Sequence, residues 1–248
     1  MANIITYDSK PELHDPVLIE GLPGVGNVGK IAADFVSGKL NARRMARILS
    51  EDLPPQVILD DECVVRMACH ELWVAEDIGG HDLVFLLGDY QGTTPQGQFL
   101  LSQCVVDMLL PHGLSMIVTL GGYGTGTVVT DPRVLGAVSD AKMKSRMETY
   151  GVQFSPGEPR GGIVGAAAVL VGLGQNLGIE SICIMGETSG VIVDHKSARC
   201  VIEVLGRMFG TEFDTSEMQE FIDNIDQLNS QSQVQAVEAP PEDLSYIG

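Results

Sequence analysis

Four short apolar runs, each closed by glycine and a polar loop, recur along the chain: VLIEGLPG from Val17, LVFLLGDYQG from Leu83, MIVTLGGYGTG from Met116 and SICIMGETSG from Ser181. Unbroken Val, Ile and Leu runs of this length suit strands buried on both faces, as in a parallel sheet covered by helices. Helical patterns follow three of them, at Asn27 to Lys39, Pro95 to Leu110 and Asp194 to Phe209. The run GIVGAAAVLVGLG from Gly162 is too short to span a bilayer and reads as a buried, closely packed helix. Between Gly126 and Arg160 the pattern is broken, with a strand expected at Val134 to Val138 and a short helix at Ala141 to Tyr150. The segment Val57 to Val74 alternates around an acidic turn and reads as antiparallel strands inserted into the sheet. The expected architecture is α/β, a three-layer α/β/α domain with a mixed, largely parallel sheet over residues 1–210.

Residues 211–248 read differently. Asp214 and Glu217 have capping-box spacing, and Met218, Phe221, Ile222, Ile225 and Leu228 form a stripe at helical intervals. The following NSQSQVQAVEAPPED is polar and aperiodic, a flexible tether, and the chain closes on the apolar cluster LSYIG.

The net charge of −18 repels phosphate backbones and anionic lipid, which argues against nucleic-acid and membrane partners. The short basic clusters at Arg43, Arg44 and Arg47 and at Lys142, Lys144 and Arg146 read as solvated faces. From Thr211 onward there is no Lys or Arg, so part of the acidity is local to the carboxyl terminus. The amino terminus has no signal-peptide pattern, and the five cysteines are odd in number and form no C-x-x-C pair. They read as reduced core thiols of a cytoplasmic protein. The scattered histidines give no metal site, and no cofactor is expected.

The loop after the first run nearly spells two phosphate motifs. Gly24, Gly26 and Gly29 fit G-x-G-x-x-G, and Gly24 to Lys30 fit G-x-x-x-x-G-K until Ile31, where a P-loop needs a hydroxyl to ligate magnesium. The residues that would hold an anion or nucleotide are Gly24, Gly26, Asn27, Gly29 and Lys30, with Glu51 or Asp52 spaced for a ribose. Tight strand-to-helix turns also require glycine, which is the competing reading. Glu20, Asp89 and Glu187 would line the same carboxyl edge without an acid/base division of labour. Ser189 is out of place for a nucleophile elbow, and Asp194 beside His195 reads as a helix cap; no catalytic residue is expected.

Taken together, GLPGVGNVGKIAADF, LLGDYQG, TLGGYGTG, GIVGAAAVLVGLGQNLGIESICIMGETSG and the helix from Asp194 resemble the archaeal branch of the proteasome assembly chaperone family, often labelled ATP-grasp. The resemblance runs from about Val17 to Gly210. It implies a fold similar to nucleoside phosphorylases, no enzymatic activity, a homo-oligomer, and proteasome α subunits as partner. Some family members dock a tail ending in a hydrophobic residue, tyrosine and any residue into a pocket between α subunits. Here Leu244, Tyr246, Ile247 and Gly248 are the corresponding contacts, with Tyr246 third from the end rather than second. A tether of this length reaches on the order of 20 Å, and burying the three apolar side chains contributes about 1.5 to 3 kcal/mol each before ordering costs. The same cluster would also serve to pack on its own oligomer. The alternative function is a nucleotide- or dinucleotide-binding enzyme or sensor built on the Gly24–Gly29 loop.

Overall fold

In the computed structural model, residues 3–224 are described. The chain divides into a unit ending at Phe213 and a second beginning at Asp214. In the first, β1 (Ile4–Tyr7) and β2 (Val17–Glu20) precede a 3-10 turn at Val25–Asn27 and helix α1 (Val28–Lys39). Then come β3 (Arg43–Leu49), β4 (Val57–Leu59), β5 (Val65–Met67), β6 (His70–Ile78), β7 (His81–Gly88) and α2 (Pro95–Leu109). They are followed by β8 (Met116–Gly124), β9 (Val134–Val138), α3 (Lys144–Thr149), α4 (Ala166–Leu177), β10 (Glu180–Thr188) and α5 (His195–Phe209).

Eight strands form one mixed sheet in the order β1-β3-β6-β7-β2-β8-β10-β9. The four repeated runs are its parallel centre: β2 pairs parallel with β7 and β8, and β8 with β10. The remaining four pairings are antiparallel, so the sheet is less parallel than the repeated runs imply. The segment Val57 to Val74 supplies only β6 to this sheet, while β4 and β5 pair separately as a two-stranded hairpin. β3 carries the first basic cluster, and Arg44 is not simply solvated: it bonds Asp8 at 2.5 Å and Glu71 at 2.8 Å across its antiparallel neighbours.

Successive side chains alternate between the faces. Leu18 and Ile117 share a buried cluster with Leu101, Val105 and Leu109 of α2 and Leu170 of α4. α1 and α5 pack together and against β8 and β10. α5 begins where Asp194 Oδ1 accepts from Ser197 N–H at 2.9 Å, the expected cap, and ends at Gly210 in the left-handed region that glycine favours. α4 starts four residues later than the Gly162 run suggests, and only Ala166, Leu170 and Gly174 of it are buried. Its small side chains leave the outer surface half-exposed instead of fully covered.

In the second unit, Asp214 Oδ1 accepts from Ser216 N–H at 2.9 Å, ahead of a 3-10 turn at Ser216–Met218 and helical residues 219–224. The stripe positions Ile225 and Leu228, the tether, and Leu244, Tyr246, Ile247 and Gly248 lie outside the described residues.

Candidate functional site

The glycine loops converge on the carboxyl edge of β2, β7, β8 and β10, where open α/β sheets carry their crevices. Gly21 and Gly29 let α1 settle onto the sheet: a Cβ on Gly29 would run into the Leu120 carbonyl, and one on Gly21 into the side chain of Ala33. Gly26 has φ +61, and a Cβ there would lie 2.9 Å from Thr188 Oγ1. Its carbonyl accepts from Asp194 N–H at 2.9 Å, so this loop is seated on the one preceding α5. Gln91 holds the other side, donating to Pro23 O at 2.8 Å and accepting from Ala166 N–H at 3.1 Å. Lys30 turns back along its own helix to Asp34 at 2.8 Å. Gly26 and Gly29 therefore satisfy packing, Gly24 is extended with room for a side chain, and Asn27 sits at φ +51 with no side-chain cap on α1.

A dinucleotide fold sets the ribose acid on the strand beside the glycine loop. Here β7 and β6 lie between β2 and β3, so Glu51 and Asp52 follow a strand three spacings away, about 14 Å. The Asp52 side chain instead stands over Gly97, where α2 begins. That topology removes the spacing argument for a bound ribose.

The structure brings Glu20, Asp89 and Glu187 to one edge, the last two paired with arginine and the first buried without one. Asp89 accepts both Arg66 Nη1 and Nη2, at 2.6 and 2.7 Å, and Cys69 N–H at 3.2 Å. The guanidinium holds its carboxyl below the usual range. Glu187 is held low the same way by Arg133, which also reaches Glu158 at 3.4 Å and so ties β9, β10 and the 155–165 loop. Glu20 is buried, and desolvation pushes its carboxyl up to about 8. One oxygen accepts from Leu22 N–H at 3.0 Å; the other, like Thr119 Oγ1 on the register partner, is buried without a hydrogen bond. The Asp194 carboxylate is engaged by the Ser197 amide and hydroxyl, at 2.9 and 3.0 Å.

Sequence reasoning missed the fasteners, Arg66, Arg133 and Gln91, and it missed the hairpin's exposure. Of the cysteines, Cys69 and Cys183 are buried, but Cys63 is exposed at the hairpin turn, where it adopts φ +63. A cavity of about 770 Å³ lies away from the carboxyl loops, between β1 and α2, floored by Ile5, Met45, Leu100 and Met108. No helix among the described residues is long and apolar enough to cross a membrane.

An eight-stranded mixed sheet flanked by helices, with its signature loops gathered at the carboxyl edge, defines an α/β protein. The chain belongs to the PAC2 family, whose model matches residues 18–232. It is 31% identical, over 100% of its length and 99% of the relative's, to the uncharacterized protein MJ1210 of Methanocaldococcus jannaschii. Among solved structures it is similar to Pyrococcus furiosus PbaB, an archaeal proteasome activator, with 31% identity, a TM-score of 0.86, and coverage of 93% of this chain and 98% of that one. P. furiosus PbaA, an archaeal homologue of proteasome-assembly chaperone, shares the fold at 23% identity and a TM-score of 0.76, with coverage of 94% and 93%.

Proposed function

We propose that this chain is a non-enzymatic binding protein, a homo-oligomeric cytoplasmic chaperone that engages proteasome α subunits through its surface and its carboxyl-terminal tail. The observation that carries this reading is the likeness to PbaB, nearly end to end in both chains at 31% identity. The tied-up edge supports it: Asp89 and Glu187 are neutralised by arginines, so neither is free to trade protons with a substrate. Helix pairs on the sheet support the three-layer, phosphorylase-like arrangement that accompanies it. Leu244, Tyr246, Ile247 and Gly248 are the contacts in this reading, the apolar side chains filling a pocket on the partner.

The test is capture of purified α subunits by the full chain and by a chain lacking Leu244 to Gly248. Capture that is lost in the truncated chain, with its oligomer size unchanged, is the expected result. Undiminished capture removes the tail from the mechanism, and absence of capture by the full chain removes the function.

A further inference from the structure

Exposed large apolar side chains occur on β1, α2 and α4 too, but the most exposed stand at the carboxyl edge. Val25, Val164, Val191, Ile192 and Val193 stand on the carboxyl-edge loops, Val164 and Val191 more than 80% exposed at 81% and 84%. Beside them is the β4–β5 hairpin. Its register pairs Val57 with Met67 and Leu59 with Val65, so one face presents four apolar side chains, 47–60% exposed. A two-stranded hairpin is at best marginally stable in water when such a face stays uncovered.

The hairpin and these loops leave the sheet at the same edge. Ile48 pairs with His70 and His70 with Gly88, so the hairpin leaves the sheet where β7 ends. The bidentate Arg66–Asp89 pair fastens it there. The Asp194–Gly26 and Ala166–Gln91 hydrogen bonds draw the 189–194 and 161–165 loops to the same edge. From β6 to β10 the sheet advances four spacings, about 20 Å, before the projecting hairpin is added. That breadth matches a protein contact of roughly 800 Å² per partner, whereas a small ligand wants a concave pocket.

Charge selects the occupant. The hairpin turn carries Asp60, Asp61 and Glu62 in succession, Arg66 is committed to Asp89, and the whole chain is at −18. A second copy pressed onto this edge would set acid against acid, which costs affinity. We propose that the carboxyl edge and the hairpin face together dock a different protein, one whose contact patch is apolar at its centre and ringed by lysine and arginine. The inference rests on the binding function proposed above and gives that partner a second contact, independent of the tail.

The experiment titrates the full chain against immobilised α subunits of the same organism's proteasome. It compares wild type with Val191→Asp, with Leu59→Ser/Val65→Ser and with Asp61→Lys/Glu62→Lys, the thermal unfolding midpoint of each establishing that it folds. Val191→Asp and the serine pair are expected to weaken binding at least tenfold with the tail intact. The lysine pair is expected to weaken it several-fold at 50 mM salt and to approach wild type at 0.5 M, where screening is nearly complete. Equal affinity across all four proteins overturns the docking surface and leaves the tail reading standing. No binding by wild type overturns the functional reading, and the assigned occupant with it. A fall in oligomer size for Val191→Asp with unchanged α-subunit affinity makes the occupant a second copy and overturns the proposal too.

Discussion

At the amino edge of the parallel strands the chain closes on itself with polar bonds. Asp82, 4% exposed, accepts from His14 N–H at 2.7 Å and Asp77 N–H at 2.9 Å, and Ser115 N–H reaches Pro16 O at 2.9 Å. His81 meets Asp15 at 2.6 Å and Arg146 meets Glu180. At the carboxyl edge Asp89 and Glu187 are tied to arginines, but Glu20 Oε2 and Thr119 Oγ1 are buried without a hydrogen bond, and Val164, Val191 and the hairpin face remain in water. Leu110 and Leu177, which lead into β8 and β10 at the amino edge, are 37% and 48% exposed, whereas Val164 and Val191 at the carboxyl edge reach 81% and 84%. Burial of this more exposed apolar area is the driving force a partner would supply, so the difference locates recognition where stability has least use for the side chains.

The contrast can be sharpened by substitution. The largest effect is expected at Gly29, where any side chain collides with the backbone of Leu120. Gly29→Val should cost about 4 kcal/mol or more, read as loss of the cooperative unfolding transition or of soluble protein. Next comes Glu20. Its folded-state value, about 8, lies above the ordinary 4.5, so the native state binds the extra proton and stability falls as pH rises from about 4.5 to about 8. Glu20→Gln keeps an oxygen for Leu22 N–H and removes the titration. It should match wild type near pH 4.5 and exceed it by about 4 kcal/mol by pH 8, measured by denaturant titration across that window. Asp82→Ala strands two backbone amides at the amino edge and is expected to cost about 2 to 3 kcal/mol in the same assay without altering partner affinity. Leu59→Ser on the hairpin should shift stability by no more than about 0.5 kcal/mol. A large loss there would mean that the face is already covered within the chain, and the contrast between the edges would collapse.

The sheet centre was legible because β2, β7, β8 and β10 are buried on both faces and need no polar alternation. β3 was not: Arg43, Arg44 and Arg47 interrupt its apolar positions, and they belong because antiparallel neighbours supply Asp8 and Glu71. The hairpin reads as part of the sheet because its alternation is that of a half-buried strand, although its apolar face is 47–60% exposed among the described residues. Asp89 and Glu187 were placed on the correct edge, but their partners Arg66 and Arg133 lie 23 and 54 residues away, beyond any local pattern. Glu20 differs in kind. Strand alternation points it inward beside Thr119, and a carboxyl in that position has no signature in a string of letters.

Gly29 carries a lesson for reading other chains. In a dinucleotide-binding loop the third glycine lets the helix pack closely on a strand, and Gly29 does the same here against a strand whose Leu120 carbonyl protrudes toward it. The same steric demand thus arises with or without a bound nucleotide, so a search by pattern alone gathers both kinds of loop into one list. What separates them is the order of strands: whether the next acid-tipped strand lies immediately beside the loop or, as in this sheet, beyond two others.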